Sequence, residues 1–108
     1  MKITTVEDIK IVAMEARFDA YSAKDVETEL KELVENRSLK IICDFSKTEY
    51  ISSAGLRVLL FIAKKLQQLT GKLVLCSVSA YVKEVFEMSG FVKIFTIANS
   101  QQDALTKF

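Results

Sequence analysis

Histidine is absent from the 108 residues, and that removes a large part of catalytic chemistry. Without imidazole no Ser-His or Cys-His nucleophile pair can be built, and the usual catalytic zinc sites lose their commonest ligand. Proline is also absent, and no linker-like, low-complexity or repeated stretch interrupts the chain. Cysteine is scarce. Cys43 and Cys76 stand apart in the apolar runs IICDF and LVLCSV, a spacing that suits buried reduced thiols rather than a metal site or a disulfide framework. Charge of one sign is lacking too: 15 basic and 14 acidic residues leave a net charge of +1, with no basic stripe of the kind that phosphate-backbone contacts require. Long apolar runs are missing. The longest uncharged one, Val58 to Ala63, is far too short to span a bilayer, and the N-terminal MKITTVEDIK carries acids where a secretory signal would be apolar. These absences predict a cytoplasmic chain with no metal, no cofactor, no direct nucleic-acid partner and no membrane partner.

What remains is ordinary for one folded domain, expected to span residues 1–108. Half of the residues are hydrophobic and 27% are charged, too apolar for disorder and enough to bury a single core. The patterning alternates. Lys2 to Thr5 and Ile9 to Glu15 read as strands, rich in β-branched residues, with a turn near Asp8. Ser22 opens a helix with Asp25 three residues on, an approximate capping box, and Val26, Leu30, Leu33 and Val34 follow at helical spacing until Asn36 stops it. Leu39 to Cys43 is a buried strand, and Asp44 to Tyr50 a polar loop. A second helix covers Ala54 to Leu69, with Gly71 as its stop. Lys72 to Ser77, Ala80 to Met88 ending at Gly90, Lys93 to Ile97 and Gln101 to Thr106 complete a ββαβαβαβα order. That order predicts an α/β fold: a mixed, mainly parallel sheet of about five strands with about four helices. On such sheets, sites gather where strand ends lead into helix N-termini, and the loop after LKIIC is such a place.

The informative segment is DFSKTEYISSAGLRVLLFIAKK, Asp44 to Lys65. Ser52 and Ser53 precede Ala54-Gly55 where the second helix begins. Two readings stand side by side. One serine is only an N-cap, its oxygen accepting from an amide of the first turn. Or one is modified, since a phosphate there would bring a charge of about −1.5 to −2 to a helix start. Spacing does not choose between them. Along the helix, Leu56, Leu59, Leu60, Ala63 and Leu66 make an apolar face, while Arg57, Lys64 and Gln68 mark the opposite one. Phe61 falls between Arg57 and Lys64. It sits under a neighbouring segment, or is one of the stray apolar residues that any surface carries, or, if exposed as a contact, completes a docking strip with Ser53, Arg57 and Lys64.

Three separated segments resemble the STAS domain family, specifically its anti-sigma factor antagonists. Asp44-Phe45-Ser46, Tyr50 and Ser52-Ser53-Ala54-Gly55-Leu56 match the Asp-apolar-Ser start, the aromatic and the Asp-Ser-Ser/Thr-Gly-Leu helix opening. Val82 to Lys93 resembles the segment around the third helix and its Met-Ser-Gly turn. Ala16-Arg17-Phe18-Asp19 resembles the Gly-x-Leu-Asp turn whose acid lies beside the acceptor serine. Departures are Ser52 for the usual acid, Ala54 for the second Ser/Thr and Ala16 for the glycine.

The resemblance implies a single STAS domain that switches partners and is not an enzyme. Unphosphorylated, it would bind an anti-sigma factor that is also a serine kinase. Phosphorylation, at Ser53 by the match and at Ser52 as second choice, would end the complex, and a serine phosphatase would restore it. Partner-binding residues would be Asp19, Ser52, Ser53, Leu56, Arg57, Phe61 and Lys64. The alternative implied by the wider family is an interaction module of a transporter or stress-signalling complex without a phospho-switch. An enzyme using Ser53 as nucleophile would have to draw on Lys47 or Asp19 as base, which nothing in the sequence places near it. The G-x-x-x-x-G-K-[ST] nucleotide loop is also missing.

Overall fold

A hairpin opens the chain. β1 (Lys2–Val6) and β2 (Ile9–Ala13) run antiparallel, and Glu7 turns the chain between them at a φ of 56°. The computed structural model describes residues 1–90 and 93–108. After β2 come the short strand β3 (Arg17–Phe18), helix α1 (Ala23–Glu35), β4 (Lys40–Asp44), the short strand β5 (Tyr50–Ile51) and α2 (Ser53–Gln68). β6 (Lys72–Cys76), α3 (Ala80–Ser89), β7 (Thr96–Ala98) and α4 (Gln101–Leu105) follow.

The main sheet has the order β1-β2-β4-β6-β7. β2, β4, β6 and β7 pair in parallel, with Ile11 opposite Ile42, Ile42 opposite Val74 and Val74 opposite Thr96. Each parallel step crosses through a helix, as parallel neighbours require. The expected α/β class, with five strands in a mostly parallel sheet and four helices among the described residues, is the fold observed.

Side chains alternate across this sheet, so one buried run feeds two cores. Val12, Ile41, Cys43, Leu73 and Leu75 face α1, α2 and α3, where Leu30, Val34, Leu59, Ile62, Leu66, Val82 and Phe86 meet them. Ile9, Ile11, Ile42, Val74, Cys76 and Ala98 face the other way, under Ala104 of α4. The two cysteines are therefore buried, free and on opposite faces. Burial pushes the Cys43 thiol up to about 12 and Cys76 to about 11, because a thiolate would lose its hydration.

Four local expectations are corrected. Ser22 precedes α1, but its side chain makes no capping bond to the helix and the Ser22–Asp25 box does not form. Asp19 caps the turn instead: Oδ1 accepts from the amides of Tyr21 at 3.0 Å and Ser22 at 3.3 Å. Gly71 is not the left-handed residue that ends α2. Thr70 takes that role at a φ of 60°, in a Schellman arrangement where Thr70 N–H bonds Gln67 O and Gly71 N–H bonds Leu66 O. Gly71 is needed for space, since a Cβ there would stand 2.5 Å from the Leu39 carbonyl oxygen.

The last strand starts at Thr96, not Lys93, because Phe95 first turns into the core against Phe86, ring centroids 5.5 Å apart. The polar loop Asp44 to Tyr50 ends in β5, whose two residues pair in parallel with β3.

Candidate functional site

The β3–β5 pair brings two distant segments to one place. Arg17 lies opposite Tyr50 and Phe18 opposite Ile51, and beyond the pairing the Ser52 amide donates to the Phe18 carbonyl at 2.9 Å. Asp19 and Ser52 thus leave adjacent strand ends together. Upstream, the amides of Glu49 and Tyr50 both donate to the Ala16 carbonyl, at 2.8 and 3.3 Å. Thr48, buried at 3% exposure, donates its hydroxyl to Glu15 O at 2.7 Å. The loop between β4 and β5 is therefore tied along its length to the chain before α1.

Asp44, the first residue of the DFS motif, closes the other side. Its Oδ1 accepts from the Ser46 amide at 2.9 Å and its Oδ2 from Gln101 Nε2 at 2.9 Å. Phe45 is fully buried between Phe18 and Phe86, each ring centroid 6.5 Å away. The motif's aromatic anchors the loop from beneath, while its polar ends bond outward.

The two serines have different duties. Ser52 is extended, with φ −98° and ψ 172°, and its side chain accepts from the Gly55 amide at 3.3 Å. It is the N-cap of α2, and its carbonyl takes the first helical bond from Leu56 at 3.0 Å. Ser53 is the first helical residue and is exposed. Among the described residues its hydroxyl makes no hydrogen bond to the protein.

Gly55 is required by the same corner. A Cβ there would meet the Phe18 carbonyl oxygen at 2.8 Å, so the helix start lies directly on β3.

Asp19 sits at the edge of this corner with 16% of its side chain exposed. Partial burial pushes its carboxyl up. The Arg17 guanidinium, 3.2 Å away, and the Ser22 and Tyr21 amides outweigh that and hold it below the ordinary carboxylate value. Arg17 also lies over the Tyr50 ring at 4.5 Å from its centroid. The motif reading took no role for Arg17, and only strand pairing as short as β3–β5 brings it onto Tyr50.

The structure treats the partner-binding candidates unevenly. Asp19, Ser52 and Ser53 gather at the β3–β5–α2 corner. Leu56 does not join an exposed surface: it is 5% exposed and belongs to the core with Leu59, Ile62 and Leu66. Arg57, Phe61 and Lys64 are all exposed on α2. Phe61 keeps 41% exposure, and Lys31 of α1 holds its ammonium 5.0 Å from the ring centroid. Ser53, Arg57, Phe61 and Lys64 recur every three or four residues and so share one side of the helix.

No group of three or more metal-ligating side chains is found among the described residues, and no helix among them is long and apolar enough to cross a membrane. Of the Val82 to Lys93 segment, Phe91 and Val92 lie outside the described residues. The remainder forms α3 and its left-handed Gly90 cap, φ 78°.

Comparison with known proteins places this corner in a family. Residues 1–104 match the STAS domain model. BtrV of Bordetella bronchiseptica, named provisionally as an anti-sigma factor antagonist, is 40% identical over 110 residues, covering 100% of this chain and 95% of its own length. A Thermotoga maritima protein, also provisionally named an anti-sigma factor antagonist, superposes with a TM-score of 0.91 at 22% identity, covering 98% of this chain and 92% of that one. The Bacillus cell-fate determinant SpoIIAA in its phosphorylated form gives a TM-score of 0.77 at 16% identity, over 98% and 96% of the two chains. The two solved structures share the fold, while the domain match along almost the whole chain and the Bordetella relative carry the assignment: the chain belongs to the STAS domain family, in company with proteins named as anti-sigma factor antagonists.

Proposed function

We propose that the chain is a cytoplasmic anti-sigma factor antagonist that binds an anti-sigma factor/serine kinase and is released when Ser53 is phosphorylated. One observation carries the choice of residue. Ser52 is committed to capping α2 through the Gly55 amide, whereas Ser53 presents its hydroxyl to solvent one residue later. The Bordetella relative's name supports the class of partner, and the phosphorylated SpoIIAA shows that a protein of this fold carries phosphate.

The chemistry is one transfer. The kinase moves the γ-phosphoryl group of ATP to Ser53 Oγ, the hydroxyl proton leaves, and ADP is released. The product is a dianion at the start of α2, close to the Asp19 turn. A partner docked across that corner then meets like charge and must strip water from a phosphate, both of which oppose binding. On the free protein the helix N-terminus favours the same phosphate. A serine phosphatase reverses the step by hydrolysis.

Ser52 standing where the family's acid is usual favours a second reading, an interaction module of a stress-signalling or transport assembly that is never phosphorylated. Phosphate mapping by mass spectrometry on protein purified from its own host, with and without phosphatase, separates the two. Phosphate on Ser53 supports the switch. Phosphate on Ser52 keeps a switch and moves its site. Unmodified protein under all growth conditions supports the second reading. With the partner kinase in hand, Ser53→Ala keeps binding and loses sensitivity to ATP, and Ser53→Asp binds more weakly.

A further inference from the structure

We infer that Arg57 is the side chain that captures a phosphate on Ser53, and that this capture neutralises Arg57 on the docking face of α2. The inference rests on the Ser53 reading and concerns what the phosphate does once it is there.

Ser53 is the first residue of α2 and Arg57 stands four residues on, both exposed. Side chains at that spacing are neighbours on a helix surface, about 5–6 Å apart at Cβ. Two other cations of this surface are engaged. Arg17 bonds Asp19 at 3.2 Å and covers Tyr50, and Lys31 pairs with Glu27 at 3.8 Å while lying over Phe61. Arg57 takes part in no ion pair among the described residues. A guanidinium in that state matches a phosphate group with two parallel N–H donors.

The same geometry separates the serines again. Four residues after Ser52 comes Leu56, which is buried. A phosphate on Ser52 would have no cation one turn ahead of it and would disturb the oxygen that receives the Gly55 amide.

Capture changes the docking surface twice. It adds a dianion at Ser53, and it cancels the positive charge that Arg57 otherwise offers beside Phe61 and Lys64. A partner that meets that strip with a carboxylate loses its counter-charge in the same event.

The test installs phosphoserine at position 53 of the full chain and follows its phosphorus NMR signal against pH in the parent, Arg57→Gln and Arg17→Gln proteins. A free phosphoserine loses its second proton near pH ~6. The parent is expected to titrate lower, and Arg57→Gln to titrate higher than the parent by about 0.3 unit, the size expected of an exposed pair one helical turn apart. The difference should fade in roughly 1 M salt. Arg17→Gln should match the parent. The helix dipole acts on all three proteins alike, so it cannot produce the difference. Identical titrations of the parent and Arg57→Gln, or a shift carried by Arg17→Gln instead, overturn the proposal. Since the phosphate is installed chemically, the result stands whether or not a kinase uses Ser53. Failure of the switch itself would show separately, as unmodified Ser53 in protein from the host.

Discussion

The carbonyl oxygen of Phe18 accepts the Ser52 amide at 2.9 Å and lies 2.8 Å from where a Cβ on residue 55 would stand. One backbone atom thus fixes the start of α2 and dictates the glycine inside its first turn. The serine corner is held from below by a strand of two residues, and its sequence requirements follow from that contact as much as from any partner.

Gly55→Ala tests the contact directly. The new methyl group meets backbone rather than a flexible side chain, so the helix start must shift off β3. Overpacking of this kind costs ~1–3 kcal/mol, readable as a lower midpoint in urea unfolding. An unchanged midpoint would mean that α2 slides away from Phe18 at no cost.

Ser52→Ala and Ser53→Ala should separate in stability. Removing the Ser52 cap costs ~1 kcal/mol, whereas an exposed serine without a hydrogen bond to the protein leaves stability within about 0.5 kcal/mol. Denaturant titration of the two variants checks this without any partner. Equal losses would give Ser53 a structural duty beyond its place in the first turn of α2.

Leu56→Ala and Phe61→Ala divide the second helix into core and surface. Leu56 is buried among Leu59, Ile62 and Leu66, so its truncation should cost ~2–5 kcal/mol. Phe61 keeps 41% of its surface in water and should cost less than half of the ~3–5 kcal/mol typical of a buried aromatic. Partner binding should move the opposite way, weakening with Phe61→Ala in a protein that remains folded.

The two thiols make a pH prediction. Cys43 is raised from 9.0 to about 12 by burial, so the native state keeps its proton where the unfolded chain loses it. Below pH 9 this has no effect. Above it the unfolded state binds fewer protons than the native one, and stability falls as pH rises toward the native value. Reaction with an aromatic disulfide reagent at pH 8 should be slow in the native protein and fast in urea. Rapid native labelling of Cys43 would contradict its burial.

How much of this was legible in the residues depends on length and repetition. Strands such as Ile9–Ala13 and Lys72–Cys76, and helices such as α2, repeat their signal enough times to be read. The β3–β5 pair does not, because two residues have no periodicity, so the feature that gathers Asp19 and the serines was invisible except through the motif resemblance. Leu56 shows the reverse error. The motif placed it among contact residues, while its helical spacing with Leu59 and Leu66 already marked it as core. Ser22 and Asp19 illustrate a third limit: both are good capping residues three positions apart, and only the fold decides that Asp19 takes the exposed amides.

The helix ends tell of a molecule that is not at its stability optimum. Arg37 and Thr70 occupy the left-handed position that closes α1 and α2, with φ of 65° and 60°, and Glu7 does the same in the first hairpin. All three turns precede the parallel strands β2, β4 and β6, at the end of the sheet opposite Asp19 and Ser53. A non-glycine residue there costs ~1 kcal/mol or more. Glycine at positions 37 and 70 would relieve that strain without touching the serine corner. The domain therefore has latent thermal tolerance that can be drawn on at one pole while the signalling pole keeps its sequence.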